Sequence, residues 1–175
     1  MAHDTTRSLP NVDALLAAMA ERLRMHLAKA GIDDPLLVGV HTGGVWLAQG
    51  LHARIGAKSP IGTLDISFHR DDFASAGLNP VVRPSHLPWP IEGRDLVLVD
   101  DVLYTGRTVR AAVNELFDWG RPRTIALAVL VARDGRELPV QADVVGAELV
   151  LGRGRSVKLR GPDPLRLEIE GGDAP

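Results

Sequence analysis

Two rhythms of apolar positions run along this chain. Leu15, Leu16, Met19, Leu23 and Leu27 recur at helical spacing behind Asn11, a good N-cap, and Gly31 is placed to stop the helix. Leu36 to Val40 is a short apolar run that ends in His41-Thr42-Gly43-Gly44, which predicts a strand and then a tight loop. Leu47, Leu51 and Ile55 return to one helical face, ended by Gly56. Leu64, Ile66 and Phe68 alternate with Asp65, Ser67 and His69, the pattern of a half-exposed strand.

Residues 70–94 break both rhythms. Pro80, Pro84, Pro88 and Pro90 exclude regular structure over most of this stretch, and a long segment of that kind inside a compact domain is expected to be a functional loop or lid. Leu96 to Val99 is an unbroken apolar run, hence a central buried strand delivering Asp100 and Asp101 at its carboxyl end. A helix is expected from about Arg107 to Trp119, and another buried strand from Thr124 to Val131. Shorter strands are expected near Asp143–Leu149, Ser156–Leu159 and Leu165–Ile169. Alternating strands and helices imply an α/β fold, a doubly wound mostly parallel sheet whose site lies beyond the strand carboxyl ends.

Composition narrows the class. A chain of 175 residues, 45% hydrophobic but only 4% aromatic, suits one domain with an aliphatic core; residues 1–10 read as a flexible arm and 11–175 as that domain. A net charge of −2 shows no general cationic surface and argues against DNA as a partner. Cysteine is absent, which excludes disulfides and thiolate metal sites. No apolar run could span a bilayer, so the expectation is a soluble cytoplasmic protein with no membrane partner.

The most informative chemistry is in Val99-Asp100-Asp101-Val102-Leu103-Tyr104-Thr105-Gly106-Arg107-Thr108. Two adjacent carboxylates at the end of an apolar strand need donors or a cation. A sugar diol supplies donors. Thr105-Gly106-Arg107-Thr108 then opens a helix, where backbone N–H groups, the helix dipole and two hydroxyls make a phosphate cradle. A diol site and a phosphate site one short loop apart fit a ribose 5-phosphate. Either fragment alone reads as a solvated strand end or a plain turn. A nucleotide triphosphatase would need a G-x-x-x-x-G-K-[ST] loop, which the chain lacks, and a phospho-accepting receiver domain has no need of such a cradle.

These residues carry a resemblance. The chain resembles the type I phosphoribosyltransferases, and within them the pyrimidine operon regulator and uracil phosphoribosyltransferase (PyrR) family, through LVGVHTGGVWLA (37–48), LDISFHRDDF (64–73), LVLVDDVLYTGRTVRAAVNELFDWGRP (96–122) and RELPVQADVVG (136–146). The resemblance implies a mobile lid loop, a small hood and a homodimer or homotetramer. It also implies transfer of a phosphoribosyl group from 5-phosphoribosyl-1-pyrophosphate (PRPP) to uracil, giving UMP and pyrophosphate, with Mg2+ as cofactor. Asp100 and Asp101 would hold the ribose hydroxyls and touch the metal only indirectly, through those hydroxyls or water. Thr105, Gly106, Arg107 and Thr108 would hold the 5-phosphate, and Tyr104 would lie near ribose and base. Thr42, Gly43 and Gly44 would form the pyrophosphate loop. Many relatives place Arg where this chain has Gly43, and Arg70 is the candidate to replace that charge, against a plain surface pairing with Asp71 and Asp72. Arg133 would donate to a base carbonyl, or serve as a surface charge, and backbone groups near Val145 would read the base edge. Asp commonly precedes that Arg in the family, whereas this chain has Ala132.

Regulators of this family bind messenger RNA. Aligned backward without gaps, the first-helix positions that contact RNA fall on Met19, Leu23 and Ala28. Farther on, Arg136 keeps a basic position, while Gln141 and Ala147 occupy the next two. The expectation is weak or absent RNA binding. Two functions follow from the resemblance: an active uracil phosphoribosyltransferase, favoured by the Asp pair and the phosphate cradle, or a UMP- or PRPP-sensing regulator with little catalysis, favoured by Gly43 and Ala132.

Overall fold

The computed structural model describes residues 9–66 and 84–172. Helix α1 (Val12–Ala30) begins where the Asn11 side chain accepts the N–H of Ala14 at 3.0 Å, and it ends at Gly31, whose φ of 68° is left-handed. Its buried stripe is Val12, Leu16, Met19, Ala20, Leu23 and Leu27. Strand β1 (Leu36–Val40) is buried throughout, and α2 (Gly43–Ile55) and β2 (Gly62–Leu64) follow. Then come β3 (Asp95–Leu103), α3 (Arg107–Trp119), β4 (Thr124–Arg133) and β5 (Val144–Leu149). The described chain closes with an antiparallel hairpin, β6 (Ser156–Arg160) and β7 (Arg166–Glu170).

The main sheet has the order β2-β1-β3-β4-β5, and every pairing is parallel. From β1 the chain steps outward to β2, then crosses back to β3 and proceeds the other way. The carboxyl ends of β1 and β3 therefore flank the switch point, where an open α/β sheet has its natural crevice. One face of the sheet packs against α1, α2 and the apolar side of the hairpin (Val157, Leu159, Leu167). The other packs against Val109, Ala112 and Leu116 of α3, with Leu87 and Ile91. Two covered faces explain why the strands read as continuous aliphatic runs rather than alternating ones.

Several expected boundaries change. β3 continues through Asp100 and Asp101 to Leu103, because Val102 pairs with Val131 and Leu103 with Ala132; the two acids lie within the strand, not beyond it. β2 is only Gly62–Leu64, so Ile66 lies outside it, and Ser67, Phe68 and His69 lie outside the described residues. Residues 84–94 belong to the fixed body rather than a lid. Thr63 and His86 exchange two backbone hydrogen bonds of 2.8 Å, and Leu87 and Ile91 are buried. The rest of the expected lid, with Arg70, Asp71 and Asp72, lies outside the described residues, as do residues 1–8 of the expected arm; Leu9 packs against the core.

The amino end of β3 carries its own carboxylate. Asp95 is buried and accepts from Arg123 Nε at 2.8 Å, from Arg123 Nη2, and from Thr124 Oγ1 at 2.7 Å. The Arg123 guanidinium holds this carboxyl below the usual aspartate range, with Thr124 adding to the effect and burial opposing it.

Candidate active site

Asp100 is only 1% exposed, although it stands at the crevice end of β3. Its Oδ1 accepts the N–H of Asp101 at 2.9 Å, and Asp101 Oδ1 accepts the N–H of Val102 at 3.0 Å. Beyond Leu103 the chain turns through Tyr104, Thr105 and Gly106. Gly106 takes φ 95°, which an L side chain rarely adopts, and α3 starts at the next residue. Thr105 Oγ1 accepts the N–H of Arg107 at 3.2 Å, while Thr105 and Thr108 are both buried. Gly106 has no side chain to cap this helix start, and beyond the Arg107 N–H taken by Thr105 the first turn offers its N–H groups to an anion.

Across the crevice lies the loop after β1. The His41–Thr42 peptide is cis, and Gly43 and Gly44, both buried, open α2. These glycines answer to close approach. A Cβ on Gly44 would lie 2.4 Å from the carbonyl oxygen of Val99, and one on Gly43 would lie 2.7 Å from Asp101 Oδ2 and 3.0 Å from Asp101 Cβ. The loop after β1 thus packs directly on the carboxyl-terminal part of β3. Gly43 is therefore more than a missing arginine: in this arrangement Asp101 fills the space that any side chain there would take.

A third segment, the start of RELPVQADVVG (136–146), braces the loop after β3. The N–H groups of Glu137 and Leu138 both reach the carbonyl of Thr105 at 3.0 Å. Arg136 donates to the carbonyl of Tyr104, and Arg107 Nε donates to Glu137 at 2.8 Å. Leu138 and Val140 close over Gly106.

Arg133 is buried, so it is not a surface charge. Its Nε, Nη1 and Nη2 donate to the carbonyls of Asp134, Arg155 and Gly152 at 3.2, 2.6 and 3.2 Å, and its guanidinium carbon lies 4.1 Å from the centre of the Tyr104 ring. Much of the donor capacity expected for a base is spent inside the fold. Its neighbour Asp134 was missed: it accepts the N–H groups of Leu151 and Gly152, which lower its carboxyl pKa with Leu151 the larger influence. Only a strand-to-turn Arg-Asp-Gly sequence could have hinted at it. Val145 lies inside β5, level with Val129 and, across β4, with Asp100, and its carbonyl accepts from Arg22 on α1. The structure does not bring its carbonyl to the crevice loops.

Two of the first-helix positions expected to face RNA, Met19 and Leu23, are fully buried in the core, so neither presents its side chain to a nucleic acid.

Sheet order, switch-point crevice and paired loops define the class: a type I phosphoribosyltransferase fold. The family model of the phosphoribosyl transferase domain matches residues 6–152. Among solved structures, a hypoxanthine-guanine phosphoribosyltransferase from Bacillus anthracis aligns with a TM-score of 0.62 and 16% identity, over 79% of this chain and 78% of that one. The Trypanosoma cruzi hypoxanthine phosphoribosyl transferase aligns with a TM-score of 0.63 and 22% identity, over 80% and 74%. At such identities the likeness concerns the fold alone. Much nearer in sequence is the bifunctional protein PyrR of Pseudomonas fluorescens, 56% identical over 93% of this chain and 97% of its own length. Its counterpart in Pseudomonas aeruginosa (strain LESB58) is 58% identical over 92% and 95%. The chain belongs to the phosphoribosyltransferase family, in its PyrR branch.

Proposed function

We propose that this protein transfers the 5-phosphoribosyl group of PRPP to uracil, releasing UMP and pyrophosphate, in the service of pyrimidine metabolism in the cytoplasm. The observation that carries the reading is the contact between the Asp100–Asp101 strand end and the Gly43–Gly44 loop, with an open helix start at Thr105–Thr108 beside them. The carboxylates accept the ribose hydroxyls. The N–H groups around Gly106 and Thr108 hold the 5-phosphate, and the glycine loop turns backbone donors toward the pyrophosphate. Positive charge develops at the anomeric carbon as the leaving group departs, and fixed carboxylates stabilise it without rearranging. Catalysis is then mostly positioning and electrostatics.

Two adjacent oxygen donors suit magnesium, which keeps waters and substrate phosphates as ligands. The pair would meet such an ion indirectly, through the ribose hydroxyls or water, as it arrives with PRPP. When bound, it would neutralise charge on the leaving pyrophosphate. Among the described residues no helix is long and apolar enough to cross a membrane.

The test is UMP formation from uracil and PRPP with magnesium, with Asp101→Asn as control. Turnover that disappears in the variant supports the reading; absence of turnover in the wild-type protein, with UMP still bound, favours a nucleotide-sensing regulator instead. The name of the Pseudomonas relatives, bifunctional protein PyrR, motivates a second role in pyrimidine gene regulation. For that role we propose weak RNA binding, from a net charge of −2 and from arginines such as Arg107 and Arg160 already matched with Glu137, Glu168 and Glu170. Tight, UMP-dependent gel shifts with a pyrimidine-leader RNA at moderate salt would overturn it.

A further inference from the structure

Tyr104 is the single tyrosine of the chain, and it is 37% exposed beside the two acids. Three groups of the 133–136 segment hold it. The Arg133 guanidinium covers its ring at 4.1 Å. Gly135 comes so close that a Cβ there would lie 2.4 Å from Cε2. Arg136 takes its carbonyl. Arg133 is itself pinned: three of its nitrogens donate to carbonyls, two of them in the turn before β6, at Gly152 and Arg155. Asp134 adds a second tie to that turn through the N–H groups of Leu151 and Gly152.

We propose that Arg133 is a positioning residue: clamped to the 152–155 turn, it holds the Tyr104 ring as a rigid platform for the planar pyrimidine base. A planar guanidinium can donate at its edge and stack by its face at once, which an ammonium cannot. The clamp reaches past residue 152, where the match to the family domain ends, so the turn that leads into the C-terminal hairpin becomes part of what shapes the base site. This replaces direct donation by Arg133 to the base, and it rests on the phosphoribosyltransferase reading.

3-Fluorotyrosine in place of the single tyrosine gives one 19F resonance that reports Tyr104 alone. We expect that resonance to move when UMP is added to the wild-type protein. In Arg133→Lys, the unliganded resonance should shift toward its unfolded position, and KM for uracil should rise about tenfold while KM for PRPP changes by less than about twofold. Tyr104→Leu should raise KM for uracil similarly, and the double variant should be little worse than either single one. The proposal fails if Arg133→Lys lowers only the melting temperature, or if lysine restores wild-type KM and resonance. It also fails if saturating UMP leaves the wild-type signal unmoved. Should Arg133→Lys not fold, the wild-type UMP response and the Tyr104→Leu kinetics decide it. If calorimetry shows that the wild-type protein does not bind UMP at all, the proposed function falls, and the unliganded resonance of Arg133→Lys still judges the clamp.

Discussion

At the amino end of β3, Asp95 meets a guanidinium and a threonine hydroxyl, and its carboxyl is held in the charged form by them. At the carboxyl end of the same strand, Asp100 and Asp101 each accept a backbone N–H from the residue that follows, and Asp101 leans on Gly43 across the crevice. One strand thus supports two kinds of acid. The first is matched inside the protein by groups from the start of β4 and the residue before it, and its work is to fasten β3 to β4. The second kind stands at the switch point, where the fold leaves a crevice between diverging strands. Burial alone does not separate them, since both Asp95 and Asp100 are buried; what surrounds the carboxylate does.

The comparison is broken most directly from the crevice end. Asp101→Asn is expected to cut kcat by about 100-fold or more while leaving the melting temperature nearly unchanged, because the loss falls on charge developing in the transition state. A large fall in melting temperature with turnover per folded molecule intact would make Asp101 another Asp95. Next in size is Gly43→Ala, and Gly43→Arg with it. Either puts a Cβ 2.7 Å from Asp101 Oδ2, so the carboxylate must shift, and misplacing it should lower kcat/KM about 10-fold or more. An arginine that instead raised activity would mean that charge at this loop outweighs the contact.

From the other end, Asp95→Ala should destabilise the protein by about 0.5–1.5 kcal/mol in urea unfolding, since it removes the hydrogen bonds to Arg123 and Thr124, whose exposed groups water can still satisfy, with turnover per folded molecule little changed. The smallest effect is on pH. Asp95 titrates lower in the folded state than in the unfolded chain, so its contribution is complete above the unfolded pKa of about 3.9 and is lost as pH falls through the lower folded value. Wild-type stability should therefore decline below about pH 4, and Asp95→Asn should show a shallower decline over the same acid range. Equal slopes would remove Asp95 from the account.

Much of this was legible along the chain. Asn11 and Gly31 bound α1 because caps act within one turn, and α3 runs from Arg107 to Trp119 as expected. The layout of the Asp100–Thr108 segment was readable for the same reason: adjacent carboxylates, a glycine turn and a helix start are all local features, set by backbone geometry and residue type. The parallel, doubly covered sheet followed from aliphatic runs that lack alternation.

Distant partners had to be seen. That β3 runs on past its acids depends on β4 lying beside it as far as Ala132, and ladder length is decided by the neighbour, not by the strand's own residues. Residues 84–94 looked like lid because proline excludes helix and ladder, yet Leu87 and Ile91 find a core that no local pattern could announce. Arg133 could be read as surface charge or ligand donor; only folding brings Tyr104 and the carbonyls of Gly152 and Arg155 around it. Residue order determined the elements and gathered the Asp pair, Gly106 and a helix start into one short segment, because periodicity, caps and turn residues work over a few positions. Tertiary structure alone decided that Gly43 lies against the Asp101 side chain and that the Arg133 guanidinium covers the Tyr104 ring, because close approach and burial depend on what the rest of the chain brings alongside.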